Sequence, residues 1–548
     1  MVDIPIFPKL NRRGKNLHVD WLKIIAKNKS YWEDAKKRAK SPRVLIATSL
    51  GGYNHATVLE STLAVSLTLR GASVDILLCD KFLPACQMTK IAKIDPQKLV
   101  EKGQLNICDS CLSAGKKVFT PLGLPIHYYS ELVGKKEQKQ ARANAYNVPL
   151  PHVDEYMYKH VALGEHAYAG TLRYFGRGDL EGERFGNDVL KRYIHAGFLS
   201  AYALQNLLKK KKYDIACFHH GIYIPQGIIG EICRREKVRI VNWNPAYRRH
   251  TFIFSHGDTY HHTMLEEKAD VWKNLQLTPK LEKRLDTYLY SRRSGTSDWI
   301  WFHENPLEDV GKIEYNIGID FKKPCIGVLT NVMWDARLHY NSVAFDNMID
   351  WVLTTISYFS KRKSIQLLIR IHPAEIHGLV PSRQPLLSEI KKYYPHLASN
   401  IKIIPPESTI STYAVMEKCN AVIIYNTKTG IELSPLGIPM IVCGESWIRN
   451  KGFSIDVTSK KEYKKILDKL PFKKKLTDRQ VNMAKKYAFH FFFRRMIPLP
   501  FIESKEKFTF TLNLEGLHDL LTGKYPGLTT MCDGILKGTP FVFPHEDL

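Results

Sequence analysis

Two stretches of the chain share one order: a short apolar run, a glycine-containing turn, an amphipathic segment and a second apolar run. The first is RVLIATSLGGYNHATVLESTLAVSLTLRGASVDILL, where residues 43–48 predict a strand and residues 55–69 a helix. The second is YDIACFHHGIYIPQGIIGEICRREKVRIVNW, with strands predicted at residues 213–218 and 238–243. Apolar residues at three- and four-residue spacing between apolar runs are typical of a βαβ unit. The sequence therefore predicts parallel strands covered by helices.

A further alternation of strands and helices begins at PCIGVLTNVMWD. Its strands are predicted at residues 325–330, 365–371, 401–404, 421–425 and 439–443. Its helices are predicted near residues 343–359, 410–419, 429–436 and 462–470. A chain of 548 residues is too long for one ordinary core. We therefore expect an α/β protein in which two Rossmann-like, doubly wound domains face each other across a cleft.

The domain boundaries follow from shifts in composition. A basic lead-in is predicted at residues 1–42, an N-terminal domain at residues 43–315 and a C-terminal domain at residues 316–495. The last segment, residues 496–548, is rich in Pro, Gly and Phe, and we expect it to fold back over the first domain. A hinge is expected at residues 305–323, where ENPLEDVGKIEYNIGIDFKKP mixes Pro, Gly and charged residues.

The charge balance bears on partners and location. The chain has 80 Lys and Arg against 54 Asp and Glu, a formal net charge of +26. Solvated basic surfaces are one explanation of this excess, and anionic substrates or peripheral contact with an anionic inner membrane are the alternative. Nucleic acid is disfavoured, because the basic runs lack interleaved aromatic residues and a recognition motif. No apolar stretch approaches the ~18–20 residues of a membrane helix, and the charged start does not resemble a signal peptide, so we expect a cytoplasmic protein.

The turn SLGGYNHA is the first candidate site. Gly51 and Gly52 let the backbone approach a ligand at the carboxyl end of a strand, and they are assigned to the acceptor side. The turn lacks the GxGxxG pattern, which disfavours a nicotinamide enzyme. His55 is predicted to be a general base, with helix capping or packing as the alternative role. Three other residues that follow apolar runs of the same domain are competing candidates for the base: His219, His220 and Asp258. His220 is also a candidate residue of the acceptor cleft.

RIHPAE follows a predicted strand of the second domain. Pro373 stops this strand and leaves His372 at the carboxyl edge of the sheet, where a phosphate would lie. Arg370 and His372 are predicted to clamp an anion, and Glu375 belongs to the same donor-binding group. The alternative is an ordinary turn, since histidine before proline is common there.

NTKTGIELSPLG follows the strand predicted at residues 421–425 and predicts a phosphate-binding helix start. Asn426, Thr427, Lys428 and Thr429 would supply amide, hydroxyl and ammonium groups, and Glu432 would accept bonds from ribose hydroxyls. A capping box between Thr429 and Glu432 is compatible with this role. The ends of neighbouring strands add further candidates for the donor site or the cleft: Ser408, Asn331, Asp335, Glu445 and Arg449.

Four cysteines fall within one stretch of the first domain: Cys79, Cys86, Cys108 and Cys111. The last two form a CxxC pair, which matches half of a zinc-ribbon site, whereas the spacing of the first two is looser than usual. They are a candidate structural zinc site. Buried core thiols are the alternative.

HPAE, IIPPESTISTY and YNTKTGIELSPLGIPMIVCGESWIRNKGF resemble bacterial capsule polysaccharide biosynthesis proteins over residues 322–470. Those proteins look like GT-B glycosyltransferases, and the motifs are similar to those of Kdo- and sialic-acid-type transferases. LCDKFLPACQ and CDSC are similar to the same group. The resemblance implies that His372, Thr427, Thr429 and Glu432 bind the donor nucleotide, and that catalysis needs no metal. Those transferases usually have Ser where this chain has Asn426 and Thr427, which leaves the base of the donor nucleotide open, with CMP or an NDP as the carrier.

The sequence thus predicts a glycosyltransferase that moves a sugar from a nucleotide-activated donor onto a glycan or lipid-linked acceptor of a capsule or other surface polysaccharide. Two alternatives remain beside it: a nucleotide-sugar epimerase on the same fold, and a non-catalytic partner in capsule assembly or export. A nucleic-acid binder is a more distant alternative.

Overall fold

The computed structural model describes residues 19–295, 297–299, 301–302, 305–506 and 509–544. The described chain divides into two compact units, each formed by several segments. Unit 1 contains residues 19–175, 180–260 and 495–543, and unit 2 contains residues 176–179, 261–494 and 544.

The strands, numbered in chain order, are β1 (Arg43–Ser49), β2 (Ser73–Leu78), β3 (Ile126–Tyr128), β4 (Ile215–His219), β5 (Arg239–Pro245), β6 (Thr251–His256), β7 (Cys325–Leu329), β8 (Gln366–Arg370), β9 (Ile401–Ile404), β10 (Ala421–Ile424), β11 (Met440–Val442), β12 (Ile455–Asp456), β13 (Ile497–Pro498), β14 (Ile502–Glu506) and β15 (Thr509–Leu512).

The α-helices are α1 (Trp21–Ala26), α2 (Lys29–Arg38), α3 (Asn54–Leu69), α4 (Pro96–Lys102), α5 (Leu105–Phe119), α6 (Tyr129–Leu132), α7 (Lys135–Asn147), α8 (Leu163–Phe175), α9 (Gly186–Lys210), α10 (Gln226–Arg235), α11 (Tyr260–Glu266), α12 (Pro279–Ser291), α13 (Val310–Ile317), α14 (Met348–Ser360), α15 (Ala374–His377), α16 (Leu386–Tyr393), α17 (Thr412–Met416), α18 (Thr429–Leu433), α19 (Lys460–Asp468), α20 (Asp478–Phe489) and α21 (Pro526–Lys537). Within the ranges that the structure describes, no helix has both the length and the apolar character needed to cross a membrane.

Unit 1 is built on a seven-stranded sheet in the order β13-β6-β5-β4-β1-β2-β3. Strands β1 to β5 pair in parallel, and β6 and β13 join the β5 edge as antiparallel strands. The parallel part has the doubly wound order 3-2-1-4-5. In α3, which follows β1, all residues from 55 to 68 are buried. This burial on every side explains why the helix carries small and apolar residues around its whole circumference.

Unit 2 contains a six-stranded sheet in the order β12-β11-β10-β7-β8-β9, and every neighbouring pair is parallel. Counted within the unit, this is the order 3-2-1-4-5-6 of a Rossmann fold. Side chains of α14, α16 and α19 pack against the strands in one core. The predicted fold class, α/β with two Rossmann-like units, is confirmed. The predicted strands of this unit begin and end within one or two residues of the observed ones.

The domain boundaries differ from the sequence prediction. Residues 261–315, predicted to belong to the first domain, lie in unit 2, and the chain passes between the units near residues 175–180, 260 and 494. The expected hinge lies inside unit 2 and contains α13, which is capped by Asp309 through the Lys312 amide at 2.9 Å. The charged and glycine residues of this segment are therefore signals for the ends of a helix.

The lead-in and the tail also have defined places. Residues 1–18 of the predicted lead-in lie outside the described residues, and residues 19–42 belong to unit 1, where Trp21 and Trp32 are buried. The Trp32 indole donates to the Leu122 carbonyl at 2.9 Å. In the tail, β13 pairs with β6 of unit 1 and β15 packs on α3.

Candidate active site

In unit 2 the polar groups lie at the topological switch point. Helices that follow β7 and β10 cover opposite faces of a doubly wound sheet, which leaves a crevice at the carboxyl ends of these neighbouring strands. Asn331 follows β7, and its Nδ2 donates to Oδ1 of Asn426, which follows β10, at 3.1 Å. Asn331 Oδ1 accepts from the Val332 amide at 2.9 Å. The structure thus brings together two residues that the sequence predicted separately.

His372 follows β8 and is held from two sides. Its backbone amide donates to Thr330 Oγ1 at 3.2 Å, and its Nδ1 accepts from the Ala374 amide at 3.0 Å. Burial, and then the Lys428 and Arg370 cations, lower the pKa of His372 to about 4, so the ring is neutral at pH 7. A neutral ring whose Nδ1 accepts a hydrogen bond carries its proton on Nε2. His372 therefore offers an N–H donor suited to a phosphate oxygen.

Two threonine hydroxyls meet after β10. Thr427 Oγ1 lies 3.1 Å from Thr429 Oγ1 and accepts from the Thr429 amide at 3.4 Å. The predicted capping box does not form, because α18 begins at Thr429 with Lys428 as its N-cap and no side-chain cap. This helix has only five residues, so the phosphate site predicted at its start depends on side chains rather than on a helix dipole.

Glu432 has a different role from the predicted ribose ligand. Its carboxylate is 2% exposed and accepts from Lys428 Nζ and from the Tyr413 hydroxyl, each at 2.5 Å. Arg292 Nε pairs with the same carboxylate at 3.0 Å, and Arg292 also contacts Asp298. Burial disfavours the charged form, but Arg292 and Lys428 outweigh it and lower the pKa of Glu432. Glu432 therefore positions Lys428 at the site. Sequence reasoning missed its partner Arg292, which directly follows α12.

Three other predicted donor or cleft residues are structural. The Arg370 guanidinium donates to the carbonyls of Pro405 and Ser408, so it fixes the loop after β9 and does not form the predicted clamp with His372. Arg449 donates to the carbonyls of Val442, Gly444 and Val457, which ties β11 to β12. The buried Glu375 accepts from the Leu386 amide at 3.2 Å, and burial raises the pKa of Glu375 to about 7. These contacts with backbone groups have no signature in the sequence.

The remaining predicted residues of this unit lie in loops. Ser408 Oγ accepts from the Ile410 amide at 3.4 Å, and Asp335 is exposed in a turn after β7. Glu445 is partly buried, and burial raises its pKa.

Unit 1 has its own switch point between β1 and β4. Two non-glycine residues adopt left-handed backbone conformations there, Ser49 at the end of β1 (φ 55°) and His220 just after β4 (φ 71°). Such residues cost of order 1–3 kcal/mol each and concentrate at functional sites. The strain therefore points to the carboxyl ends of these two strands.

A histidine cluster, formed by His55, His219 and His220, lies at this switch point. The ring centroids of His55 and His219 are 4.9 Å apart, and those of His219 and His220 are 5.4 Å apart. Burial lowers the pKa of His55 to about 4, and burial followed by the neighbouring histidines lowers that of His219 as well. Both rings are therefore neutral at pH 7, as a general base must be. Three of the four predicted base candidates thus occupy one place.

Asp258, the fourth candidate, forms an ion pair instead. Its carboxylate pairs with Arg234, at the end of α10, at 3.6 Å. The tail contributes instead to the surroundings of the histidine cluster, since Phe510 packs against His55 with 6.1 Å between ring centroids. The Phe510 amide donates to Asn54 Oδ1 at 2.5 Å.

Sequence reasoning missed an arginine and two tyrosines beside the histidine cluster. Arg173 donates to the Gln87 carbonyl at 2.7 Å and to the Tyr53 hydroxyl at 3.2 Å, and it lies over the Tyr223 ring at 5.4 Å. The Tyr53 ring is 5.2 Å from that of His55. Arg173 lies on α8, about 120 residues from Tyr53, and only the tertiary structure brings them together.

Gly51 and Gly52 make room for α5 rather than for a substrate. A Cβ on Gly51 would lie 2.5 Å from the Cys111 carbonyl oxygen and 2.6 Å from the Gly115 Cα. The Gly52 amide donates to Cys111 Sγ at 3.1 Å. Their assignment to the acceptor cleft is therefore replaced by a packing role.

We predict that Gly51→Ala destabilises the protein by about 1–3 kcal/mol, because the added methyl group meets helix backbone that cannot move aside cheaply. Urea denaturation measures this cost. Gly311→Ala is the control, since the nearest atom to its Cβ is 3.5 Å away, and there alanine should be neutral or stabilising by about 0.5–1 kcal/mol. Equal costs for the two substitutions would contradict the packing role.

The four cysteines line one small cavity but do not form a zinc site. Among the described residues, no three of their sulfur atoms lie within 4.8 Å of one another. Burial raises the pKa of Cys108 and Cys111 to about 12, so both side chains are thiols in this structure. Cys86 and Cys111 pack with Leu50 and Met88 in an apolar cluster. The predicted structural zinc is thus replaced by the alternative, buried core thiols.

No protein-family model and no curated protein matches the chain. Among solved structures, it is similar to the β-Kdo 2,4 transferase KpsC of Thermosulfurimonas dismutans, with 11% identity, 50% of this chain and 79% of that chain covered, and a TM-score of 0.33. It is also similar to the spinosyn rhamnosyltransferase SpnG, with 9% identity, 82% of this chain and 96% of that chain covered, and a TM-score of 0.24. The UDP-GlcNAc 2-epimerase of Neisseria meningitidis is similar with 9% identity, 81% of this chain and 93% of that chain covered, and a TM-score of 0.24. Likenesses this weak do not indicate a substrate or a reaction.

Proposed function

We propose that this chain is a GT-B-like glycosyltransferase that moves a sugar from a nucleotide-activated donor to an acceptor hydroxyl. Unit 2 binds the donor and unit 1 the acceptor. The observation that carries the proposal is the set of polar groups joined at the switch point of unit 2, where Asn331 and Asn426 meet. Rossmann-like sheets bind nucleotides at this point.

The donor phosphates are proposed to lie against His372, Lys428 and the two threonine hydroxyls. Neutral His372 donates through Nε2, the hydroxyls of Thr427 and Thr429 donate, and Lys428 supplies positive charge. The partners of Lys428 hold it in place at little entropic cost when a phosphate binds. These groups stabilise the charge that develops on the leaving phosphate, so the proposal invokes no catalytic metal.

In unit 1 the acceptor hydroxyl is proposed to lose its proton to His55, with His219 as the alternative base. The hydroxyl oxygen then forms a bond to the anomeric carbon, the bond from that carbon to the phosphate oxygen breaks, and the nucleotide leaves with the electron pair. This step inverts the anomeric configuration. A retaining enzyme would not need this base.

The proposed acceptor is a glycan or lipid-linked glycan of a capsule or another surface polysaccharide. The net charge of +26 supports an anionic acceptor and peripheral contact with an anionic inner membrane. CMP or a nucleoside diphosphate is proposed as the carrier of the sugar.

Calorimetric titration with CMP, UDP, GDP and dTDP tests the donor site. We expect at least one nucleotide to bind, and His372→Ala to weaken that binding by about 10- to 100-fold, because one hydrogen bond to a charged phosphate is lost. His377→Ala, on the exposed end of α15, is the matched control and should bind like wild type. If none of the four nucleotides binds, or if His372→Ala binds with wild-type affinity, the donor site is not at this switch point. A non-catalytic assembly or export partner would bind none of them.

A further inference from the structure

Three cations of unit 1 form a basic cluster that the mechanism above does not use: Lys90, Lys93 and Arg173. The Ile91 amide donates to the Tyr174 carbonyl at 3.0 Å, so Lys90 and Arg173 each lie one residue from this bond. The Lys93 amide donates to the Lys90 carbonyl at 2.8 Å, which folds the segment into a turn and keeps the two lysines together. Backbone hydrogen bonds therefore fix the position of the basic cluster.

The three charges influence one another at close range. Burial, followed by the charges of Lys93 and Arg173, lowers the pKa of Lys90 to about 8. Burial is the largest cause that lowers the pKa of Lys93 to about 8; Cys86 and Cys111 oppose it, and Arg173 adds to it with a smaller effect than that of Cys86. Both lysines are only partly exposed, so they differ from ordinary solvated surface lysines. Positive charge is therefore concentrated at this place in unit 1.

The basic cluster adjoins the histidine cluster. Arg173 contacts the Tyr53 hydroxyl at 3.2 Å, and the Tyr53 ring is 5.2 Å from the ring of His55 and 6.0 Å from that of His219. One tyrosine side chain thus lies between Arg173 of the basic cluster and the base candidates His55 and His219.

We propose that Lys90, Lys93 and Arg173 bind an anionic group of the acceptor, a carboxylate or a phosphate, and thereby hold its hydroxyl at the histidine cluster. This inference rests on the proposed function and specifies its acceptor. Lysine and arginine give charge-assisted hydrogen bonds to both kinds of oxyanion. The anion comes either from an acidic sugar of a glycan or from the phosphate of a lipid-linked acceptor.

Binding of small probes to the intact protein tests the proposal and separates the two sources. Methyl β-D-glucuronide carries a carboxylate, glucose 1-phosphate carries a phosphate, and methyl β-D-glucoside is the neutral counterpart of the first. We expect wild type to bind at least one anionic probe and to bind the glucoside at least about tenfold more weakly, because the neutral sugar forms no charge-assisted bonds. The anionic probe that binds more tightly identifies whether the acceptor's anion is a sugar carboxylate or a lipid-linked phosphate.

The variant Lys90→Met/Lys93→Met should lose at least about tenfold in affinity for that anion. Lys98→Met/Lys102→Met, which removes two exposed charges from the neighbouring α4, is the matched control and should bind as wild type does. Lys93→Gln provides a second, milder variant if the double variant unfolds, as monitored by circular dichroism, and it should show an intermediate loss. Ligand-observed NMR or calorimetry measures each affinity.

The inference is wrong if neither anion binds, if the glucoside binds as tightly as the anions, or if the lysine variants keep wild-type affinity. Titration of the same preparations with nucleotides separates this result from the proposed function. Nucleotide binding without anion binding overturns the basic cluster alone, whereas anion binding without nucleotide binding overturns the donor site alone.

Discussion

Glu432→Ala should lower the free energy of unfolding by about 3–5 kcal/mol, because it removes the carboxylate that two buried cations share. The side chain of Glu432 is 2% exposed, that of Arg292 8% and that of Lys428 17%, so water compensates little for the lost charge. The Tyr413 hydroxyl also loses its acceptor. Chemical denaturation monitored by tryptophan fluorescence measures the loss.

The matched control is Glu417→Ala. Glu417 also pairs with an arginine, Arg293, but its side chain is 29% exposed, and such pairs contribute about 0–1 kcal/mol. We expect the midpoint of denaturation to shift several times further for Glu432→Ala than for the control. Similar shifts would mean that the Glu432 carboxylate is not part of a buried ion-pair network, and Glu432 would return to consideration as a nucleotide ligand.

His55→Ala should lower kcat by about 10²–10⁴-fold while nucleotide binding stays unchanged, because the variant lacks the base that removes the acceptor proton. The matched control is His195→Ala on α9. Burial likewise lowers the pKa of His195 to about 4, but this residue is not part of the histidine cluster. The control should keep near-wild-type turnover. If His55→Ala also turns over at the wild-type rate, His55 is not the base, and His219 takes its place in the proposal.

The pH dependence provides an independent check on the base. A base acts in its unprotonated form, and His55 has a pKa of about 4 in the folded protein against 6.5 for an ordinary histidine. The value of kcat/KM should therefore stay level as the pH falls from 7 to about 5 and decrease only as it passes through about 4. Stability falls over part of the same range, because the unfolded chain takes up protons below pH 6.5 that folded His55 does not. Rates must accordingly be compared under conditions in which the protein stays folded.

The sequence predicts the two sheets well because their strands are short apolar runs separated by turns and amphipathic helices. The strand β10 and the polar segment after it are examples, and the predicted residues Asn426 and Thr427 lie at the carboxyl end of that strand. Periodicity and turn residues are local signals, so they can be recognised in the sequence without knowledge of the tertiary structure. The same signals led us to predict a hinge where the structure has the capped helix α13.

The parts that sequence reasoning missed depend on long-range contacts. Arg292 precedes Glu432 by 140 residues, and its segment has the charged composition of an ordinary surface helix. Arg370 and Arg449 resemble anion ligands in the sequence. In the structure their guanidinium groups instead donate hydrogen bonds to backbone carbonyl oxygens. A polar residue at a strand end is equally able to bind a ligand or to fix a loop, and only its partners distinguish the two roles.

The central claim, transfer of a sugar from a nucleotide, is tested most directly by NMR of nucleotide sugars incubated with the protein. The panel contains CMP-, UDP-, GDP- and dTDP-linked sugars, each with and without a carboxylated or phosphorylated saccharide as the acceptor. We predict that for one donor the free nucleotide accumulates and the anomeric carbon becomes bonded to the acceptor oxygen, at a rate that depends on the acceptor. A sugar that stays attached to its nucleotide but changes configuration at a ring carbon would identify an epimerase and contradict the claim. A panel left unchanged in every arm would contradict it equally.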